Sequence, residues 1–96
     1  MKEVYIIAAK RTAIGGFLGN LSEFSATQLG AIAIKETYQS VGIDPNTICS
    51  VYMGNVLSAN LGQSPARQSS IFAGISVNTD STTVNKVCAA GMKATI

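Results

Sequence analysis

Short apolar runs rich in β-branched residues alternate with helical patterns along the chain, and this alternation most constrains the fold. The runs at 4–9, 48–53 and 81–87 have the length and composition of buried strands. Strands that alternate with helices of about 10–15 residues form right-handed crossovers and a largely parallel sheet. The sequence therefore predicts an α/β fold with the order β-α-β-α-β-α.

Local end signals define the first helix. Ser25 and Gln28 have the spacing of a capping box, and Gly42 lies where a helix would have ended. These signals predict a helix from about residue 25 to about residue 40. The residues expected on its inner face are Ala26, Leu29, Ile32 and Ala33.

Two further helices have weaker signals. Ser64 is expected to cap a helix whose first residue is Pro65 and which stops at Gly74. The last helix is expected to begin at Cys88 and is cut by the end of the sequence, without a cap or a polar tail. We therefore expect the chain to be truncated.

Composition narrows the classes of function. The chain is 47% hydrophobic and 12% charged, which is typical of a packed rather than a disordered chain. Its seven cations are scattered and its five acids are dispersed, so we expect neither a nucleic-acid partner nor a carboxylate metal site. No apolar run approaches the ~20 residues that span a bilayer, and no signal peptide is visible. We expect no membrane association and a cytoplasmic location.

The two cysteines, Cys49 and Cys88, form neither a Cys-x-x-Cys motif nor a zinc-binding spacing. We expect both to be reduced thiols, with Cys49 in the core at the start of a strand. Cys88 lies between a predicted strand and a predicted helix, where free N–H groups and the helix dipole favour a thiolate. A free cysteine is also often a small buried hydrophobe, so position alone leaves both interpretations of Cys88 open.

The chain contains no histidine. An enzyme with a cysteine nucleophile usually pairs it with a base, most often histidine. Either Cys88 is not catalytic, or its base lies outside these 96 residues.

Three ordered blocks of sequence carry a family resemblance. They are Arg-Thr-Ala-Ile-Gly at 11–15, the loop residues 53–57 with 62–68, and Thr-Val-Asn-Lys-Val-Cys-Ala-Ala-Gly-Met-Lys-Ala at 83–94. The last block closely resembles the nucleophile segment of thiolases, which include acetyl-CoA C-acetyltransferases and 3-ketoacyl-CoA thiolases, and the other two match it. The resemblance implies a thiolase-like fold, of which residues 1–96 would form an incomplete N-terminal domain, the first part of the N-terminal α/β half.

What the resemblance implies chemically is a two-step acyl transfer. Cys88 would take an acyl group from acyl-CoA and pass it to CoA in thiolysis, or to an acetyl-CoA carbanion in condensation. Its own N–H is expected to contribute to an oxyanion hole. Coenzyme A thioesters would be substrates, with no tightly bound cofactor, and the full-length protein would be a homodimer or homotetramer.

Other parts of the family machinery have no counterpart here. Thiolases take their activating histidine from a later Gly-His segment and a second acid/base cysteine from a later Cys-x-Gly segment. The main CoA-binding loop also lies further along, so no residue here is assigned to CoA. The direction of the reaction, thiolytic or biosynthetic, and the preferred length of the acyl chain stay open.

The chain departs from the family pattern at three places. Ala13 replaces a common proline, and residues 78–80 replace a stretch that often contains proline. Ala90 stands where many members have serine, which removes a possible hydroxyl donor beside Cys88. The change at Ala90 leaves the subfamily open.

The glycine-rich loop after the first run also permits a phosphate-binding interpretation. Gly15, Gly16 and Gly19 do not fit G-x-G-x-x-G, and the next helix begins several residues too late to offer its N-terminus. A surface connection is the favoured interpretation.

For the charged and polar residues near the matched blocks, a structural role or simple solvation is weighed against a role in function. Lys86 and Lys93 flank Cys88 and are more often solvated than charge partners of a thiol. Arg67 is expected to pair with a carboxylate or carbonyl within the fold or at a subunit interface rather than to bind substrate. Asn85 is expected to hold local backbone.

A second function stands beside the enzymatic one. In this alternative, the chain is a truncated or split polypeptide that has no catalytic activity and either binds a partner or has no function alone. We expect the isolated chain to be inactive and marginally stable, because a sheet cut short leaves an unpaired edge.

Overall fold

The computed structural model describes residues 2–96. Helices and strands alternate along these residues, with a 3₁₀ turn at Pro45–Thr47. The elements are α1 (Ala26–Ser40), β1 (Ser50–Gly54), α2 (Pro65–Phe72), β2 (Asp80–Val84) and α3 (Ala90–Thr95). The predicted alternation is confirmed from residue 26 onward.

The two strands form a parallel pair that α2 connects as the crossover. Ser50 lies opposite Asp80 and Gly54 lies opposite Val84, so both strands end at the same edge of the sheet. The N–H of Asn55 donates to the carbonyl of Val84 at 2.9 Å, just beyond the ladder. The predicted parallel arrangement is confirmed for this pair, and it brings the segments that follow the strands together.

The apolar run at 4–9, predicted as the first strand, forms no strand. Val4 and Ile6 are 90% and 86% exposed, although Ile7 lines one cavity together with Val51 of β1. A β-branched run becomes a strand only where a ladder partner and a covering layer bury it. Among residues 2–96 the ladder joins β1 and β2 alone, so this local preference is not realised.

Helix α1 begins with the predicted capping box, but its inner face is rotated from the predicted one. Ile32 is 50% exposed, and the buried side chains are Thr27, Ala31 and Tyr38. The reason is a close approach of α2, because a Cβ on Gly30 would lie 2.8 Å from Ser69 Oγ. Helix α2 can approach α1 this closely only where α1 has a residue as small as glycine. The residues predicted for the inner face, Ala26, Leu29 and Ala33, are only half-buried.

The core lies between α1, β1 and the segment after α2. The buried residues are Ala31, Tyr38, Val51, Ala73 and Ile75, with Ile34, Ile43 and Ile48 against them. The Tyr38 hydroxyl donates to the carbonyl of Ala73 at 2.7 Å, which ties the end of α2 to α1. None of the helices described here has the length and apolar character needed to cross a membrane.

Helix α2 is capped by a distant residue and not by Ser64. Pro65 is the first helical residue, as predicted, but Ser64 has φ 46° and ψ 76° and makes no side-chain cap bond. Instead, Thr83 Oγ1 accepts a hydrogen bond from the Ala66 N–H at 3.0 Å. The predicted serine cap is therefore wrong, because a β2 hydroxyl takes its place through tertiary contact.

Candidate active site

Cys88 lies in the turn that joins β2 to α3. The strand ends at Val84 and the helix begins at Ala90, so the predicted helix start at Cys88 is two residues too early. The thiol is free and exposed to solvent. The predicted strand–helix junction is confirmed, and Cys88 is not buried among the residues that the structure describes.

The backbone ahead of the thiol is held in a left-handed conformation. Val87 has φ 49°, which is rare for a β-branched residue. The Asn85 side-chain oxygen accepts a hydrogen bond from the Val87 N–H at 3.0 Å. Asn85 thus holds local backbone, as predicted, and the strained turn directs the chain into position for Cys88.

Two amides after the thiol are also committed to this turn. The Ala89 N–H donates to the Lys86 carbonyl, and the Ala90 N–H donates to the Val87 carbonyl, each at 3.0 Å. Together with the bond to Asn85, these interactions occupy the amides on both sides of Cys88. Lys86 and Cys88 also form an isolated parallel bridge within this turn.

The lysines that flank the thiol in sequence are both exposed. Lys86 and Lys93 lie on the surface before and within α3, in agreement with their solvated interpretation. An electrostatic role for either lysine stays a hypothesis.

Arg67 is engaged within the fold. Its guanidinium donates to the carbonyls of Thr79, at 3.0 Å, and Val77, at 2.8 Å. The predicted carbonyl partnership is confirmed, and this fork ties α2 to the turn before β2.

Cys49 is exposed, so its predicted place in the core is wrong. It lies between the 3₁₀ turn and β1, outside the ladder that alternates side chains between the two faces. Its thiol approaches the Thr47 carbonyl at 3.9 Å, a weak local contact. The chain therefore presents two exposed thiols in different surroundings.

The glycine-rich segment before α1 is a surface connection, as predicted. Gly19 donates its N–H to the Gly16 carbonyl at 3.0 Å in a tight turn, and α1 begins only at Ala26. Across residues 2–96, no group of three or more histidine, cysteine or acidic side chains is placed to hold a metal ion.

The left-handed turn at Val87 is the site feature that sequence reasoning missed. A signal for it was present, because an asparagine side chain often bonds to the backbone two residues further on. Asn85 precedes Val87 by that spacing.

Comparison with a family model gives a match over residues 4–96 to the "Thiolase, N-terminal domain". An acetyl-CoA acetyltransferase of Schizosaccharomyces pombe is 55% identical over 94 residues, which cover 98% of this chain and 24% of that protein. The human mitochondrial acetyl-CoA acetyltransferase is 51% identical over 94 residues, covering 98% of this chain and 22% of its own length. A cytosolic acetyl-CoA acetyltransferase of Gibberella zeae is 52% identical over 93 residues, which are 97% of this chain and 24% of that one.

Among solved structures, the Acat5 thiolase from Ascaris suum in complex with coenzyme A superposes with a TM-score of 0.93. It is 42% identical, and the match covers 96% of this chain and 24% of that one. The chain therefore spans about a quarter of the length of the proteins it matches.

Proposed function

The chain belongs to the thiolase family, and on that premise we propose that it supplies the nucleophile of a CoA-dependent acyltransferase. Cys88 is the residue that becomes acylated. The observation that carries this proposal is the exposed Cys88 thiol in the turn after a parallel strand pair. Ligands of open α/β sheets bind where the carboxyl ends of the strands meet.

The first step forms an acyl-enzyme. The Cys88 sulfur attacks the thioester carbonyl of acyl-CoA, a new carbon–sulfur bond forms, and the carbonyl oxygen becomes negative. Collapse of this intermediate breaks the bond to the CoA sulfur, which leaves and takes up the proton that a general base removed from the Cys88 thiol. In condensation, an acetyl-CoA carbanion attacks the thioester carbonyl of acylated Cys88, the bond to the Cys88 sulfur breaks, and acetoacetyl-CoA is released. In thiolysis, the acyl group comes instead from a 3-ketoacyl-CoA: Cys88 attacks its 3-keto carbonyl, the bond between C2 and C3 breaks to release acetyl-CoA, and CoA then takes the acyl group from Cys88.

The N–H of Cys88 is suited to meet the negative oxygen. Oxyanion stabilisation needs donors that are already oriented and not engaged elsewhere. The amides of Val87, Ala89 and Ala90 are hydrogen-bonded within the turn and so are not available to the oxygen. Among the amides of this turn, the Cys88 N–H is therefore the one that we propose as the oxyanion donor.

The acyl donor in this proposal is an acetyl-CoA-type thioester. The relatives at 51–55% identity are named acetyl-CoA acetyltransferases, and the structural neighbour was solved in complex with coenzyme A. Coenzyme A acts here as a substrate and not as a resident cofactor. We also propose that the active protein is a homodimer or homotetramer.

The compartment is less constrained than the chemistry. The relatives include a mitochondrial and a cytosolic enzyme, so their names do not select one location. The cytoplasm stays the prediction of the sequence.

The base that activates Cys88 is proposed to come from polypeptide outside these residues. The 96 residues contain no histidine, and the matched relatives are about four times as long. A histidine and a second acid/base cysteine would complete the site. The 96 residues alone are then expected to be inactive, which is also the outcome of the non-catalytic alternative.

The test uses the protein expressed from its complete natural coding region. It is incubated with acetyl-CoA, digested and mapped by mass spectrometry. We expect an acetyl group on Cys88 that is lost in Cys88→Ser and retained in Cys49→Ser. Cys49 is a matched control because it is the other exposed thiol of the chain.

Acetylation of Cys49 alone would refute the proposal, and so would an unchanged extent of acetylation in Cys88→Ser. A chimera gives a second arm, in which these residues replace the matched segment of the Schizosaccharomyces pombe enzyme. We expect the folded chimera to carry out thiolysis and its Cys88→Ser variant to be inactive. Inactivity of a chimera that folds and binds CoA would count against the proposal.

A further inference from the structure

We infer that Gly54 is a positioning residue for the nucleophile: it allows the first turn of α3 to lie directly on the end of β1, and so fixes the place of Cys88. The inference rests on the proposed function of Cys88. Gly54 itself touches neither the thiol nor the substrate in this account, and it acts through the backbone of α3.

The contact between Gly54 and α3 is very close. A Cβ added to Gly54 would lie 2.6 Å from the Ala90 carbonyl carbon and the Gly91 nitrogen, and 2.7 Å from the Ala90 oxygen. Ordinary contacts of a Cβ begin at 3.4 Å. The obstructing atoms are backbone atoms, which cannot turn aside as the end of a flexible side chain can.

Space, and not backbone conformation, makes glycine necessary here. Gly54 is the last residue of β1 and is paired with Val84 in the ladder, and its φ is not positive. Any residue can adopt this extended conformation. A glycine in a strand costs some stability, and close approach of another backbone is one of the few reasons to place it there.

The turn that carries Cys88 is coupled to the point of contact. Ala90 is 4% exposed, and its N–H donates to the Val87 carbonyl at 3.0 Å. A methyl group on Gly54 would require the Ala90–Gly91 backbone to move by about 0.8 Å to reach ordinary contact distance. That movement would displace the turn from 87 to 89, and with it the thiol and the Cys88 amide.

A displacement of this size should slow acyl transfer to the Cys88 thiol without slowing alkylation of the same thiol. Acyl transfer from CoA needs the sulfur, the thioester carbonyl and the oxyanion donor in register, and a misplacement of about 1 Å can cost roughly 100-fold. Alkylation by iodoacetamide needs only an accessible thiol. We therefore expect Gly54→Ala to impair acylation selectively.

The experiment compares Gly54→Ala with Gly16→Ala in the protein from the complete coding region. Gly16 is the matched control because its Cβ would meet nothing within 4 Å and it lies in the surface loop. At saturating acetyl-CoA, we expect the rate of Cys88 acetylation to fall roughly 10–100-fold in Gly54→Ala. The half-saturating acetyl-CoA concentration and the iodoacetamide rate of folded protein should stay at wild-type values, and Gly16→Ala should match wild type throughout.

Wild-type acetylation rates in folded Gly54→Ala would overturn the inference, and so would equal losses in acetylation and alkylation, which indicate a merely structural role. If Gly54→Ala does not fold alone, the double variant Gly54→Ala/Ala90→Gly is used, because loss of the buried Ala90 methyl group gives the helix start room to move away from the added Cβ. The double variant should be acetylated severalfold more slowly than Ala90→Gly alone and be alkylated at the same rate, and equal acetylation rates in these two variants overturn the inference. A wild-type protein that is not acetylated at Cys88 contradicts the proposed function instead, so the two failures are distinguishable.

Discussion

Replacement of Asn85 by alanine tests whether a side chain holds the strained turn ahead of Cys88. The Asn85 oxygen accepts a hydrogen bond from the Val87 N–H at 3.0 Å, and Val87 has φ 49°. The left-handed region costs an L-residue about 1–2 kcal/mol, so the turn persists only where other interactions offset that cost. Asn85→Ala removes one such interaction and leaves the strain in place.

The magnitude follows from the net value of one hydrogen bond. A typical intramolecular bond contributes about 0.5–1.5 kcal/mol, which corresponds to a roughly 2–12-fold change in population or rate. Asn85 is exposed, so water replaces part of the lost bond and the lower half of that range applies. We expect acetylation of Cys88 in Asn85→Ala to slow by about 2–5-fold.

A rescue variant separates turn geometry from other effects of Asn85. Glycine adopts positive φ without a steric penalty, so Val87→Gly should restore most of the rate lost in Asn85→Ala. The assay is the single-turnover rate of Cys88 acetylation for wild type, the two single variants and the double variant. The reasoning is refuted if Asn85→Ala reacts at the wild-type rate, or if Val87→Gly leaves its loss unchanged.

Two further predictions concern stability, measured by urea unfolding of the protein from the complete coding region. Thr83→Val removes the hydroxyl that caps α2 and should cost about 1 kcal/mol, whereas Ser64→Ala should cost little because Ser64 makes no cap bond. The reverse order would contradict the structural assignment of the cap. Arg67→Ala should cost about 2 kcal/mol, since it removes two charge-assisted bonds from a half-buried group. Arg67→Lys should recover less than half of that loss, because an ammonium cannot reproduce the fork; full recovery would show that charge alone suffices.

The sequence predicts those features whose causes are local. The capping box of α1 is one case, because Ser25 and Gln28 satisfy each other through bonds of 2.8 and 3.2 Å within one turn. Pro65 as the first residue of α2 is another. The parallel strand pair follows from the alternation of elements, and the family follows from residues contiguous with Cys88.

The errors arise where tertiary contact decides the outcome. The run at 4–9 has strand composition but no ladder among the residues described, so Val4 and Ile6 stay exposed. Ser64 has the residue type of a cap, yet Thr83 of β2 reaches the helix end instead. Cys49 is apolar in character and adjacent to a strand, but it lies just outside the ladder and is exposed.

In the candidate site too, the features with local causes can be predicted from the sequence and those that depend on distant residues cannot. Cys88 and the hydrogen bond from the Val87 N–H to Asn85 lie within one short segment, so a motif and an asparagine two residues before Val87 suffice to indicate them. The position of that segment depends on Gly54, which belongs to another strand and whose backbone has no unusual conformation. Nothing in the residues around Gly54 distinguishes a glycine that gives space to α3 from one that simply ends a strand. Only the packed contact does so, and prediction of where the thiol stands therefore requires the strand pair and α3 to be placed first.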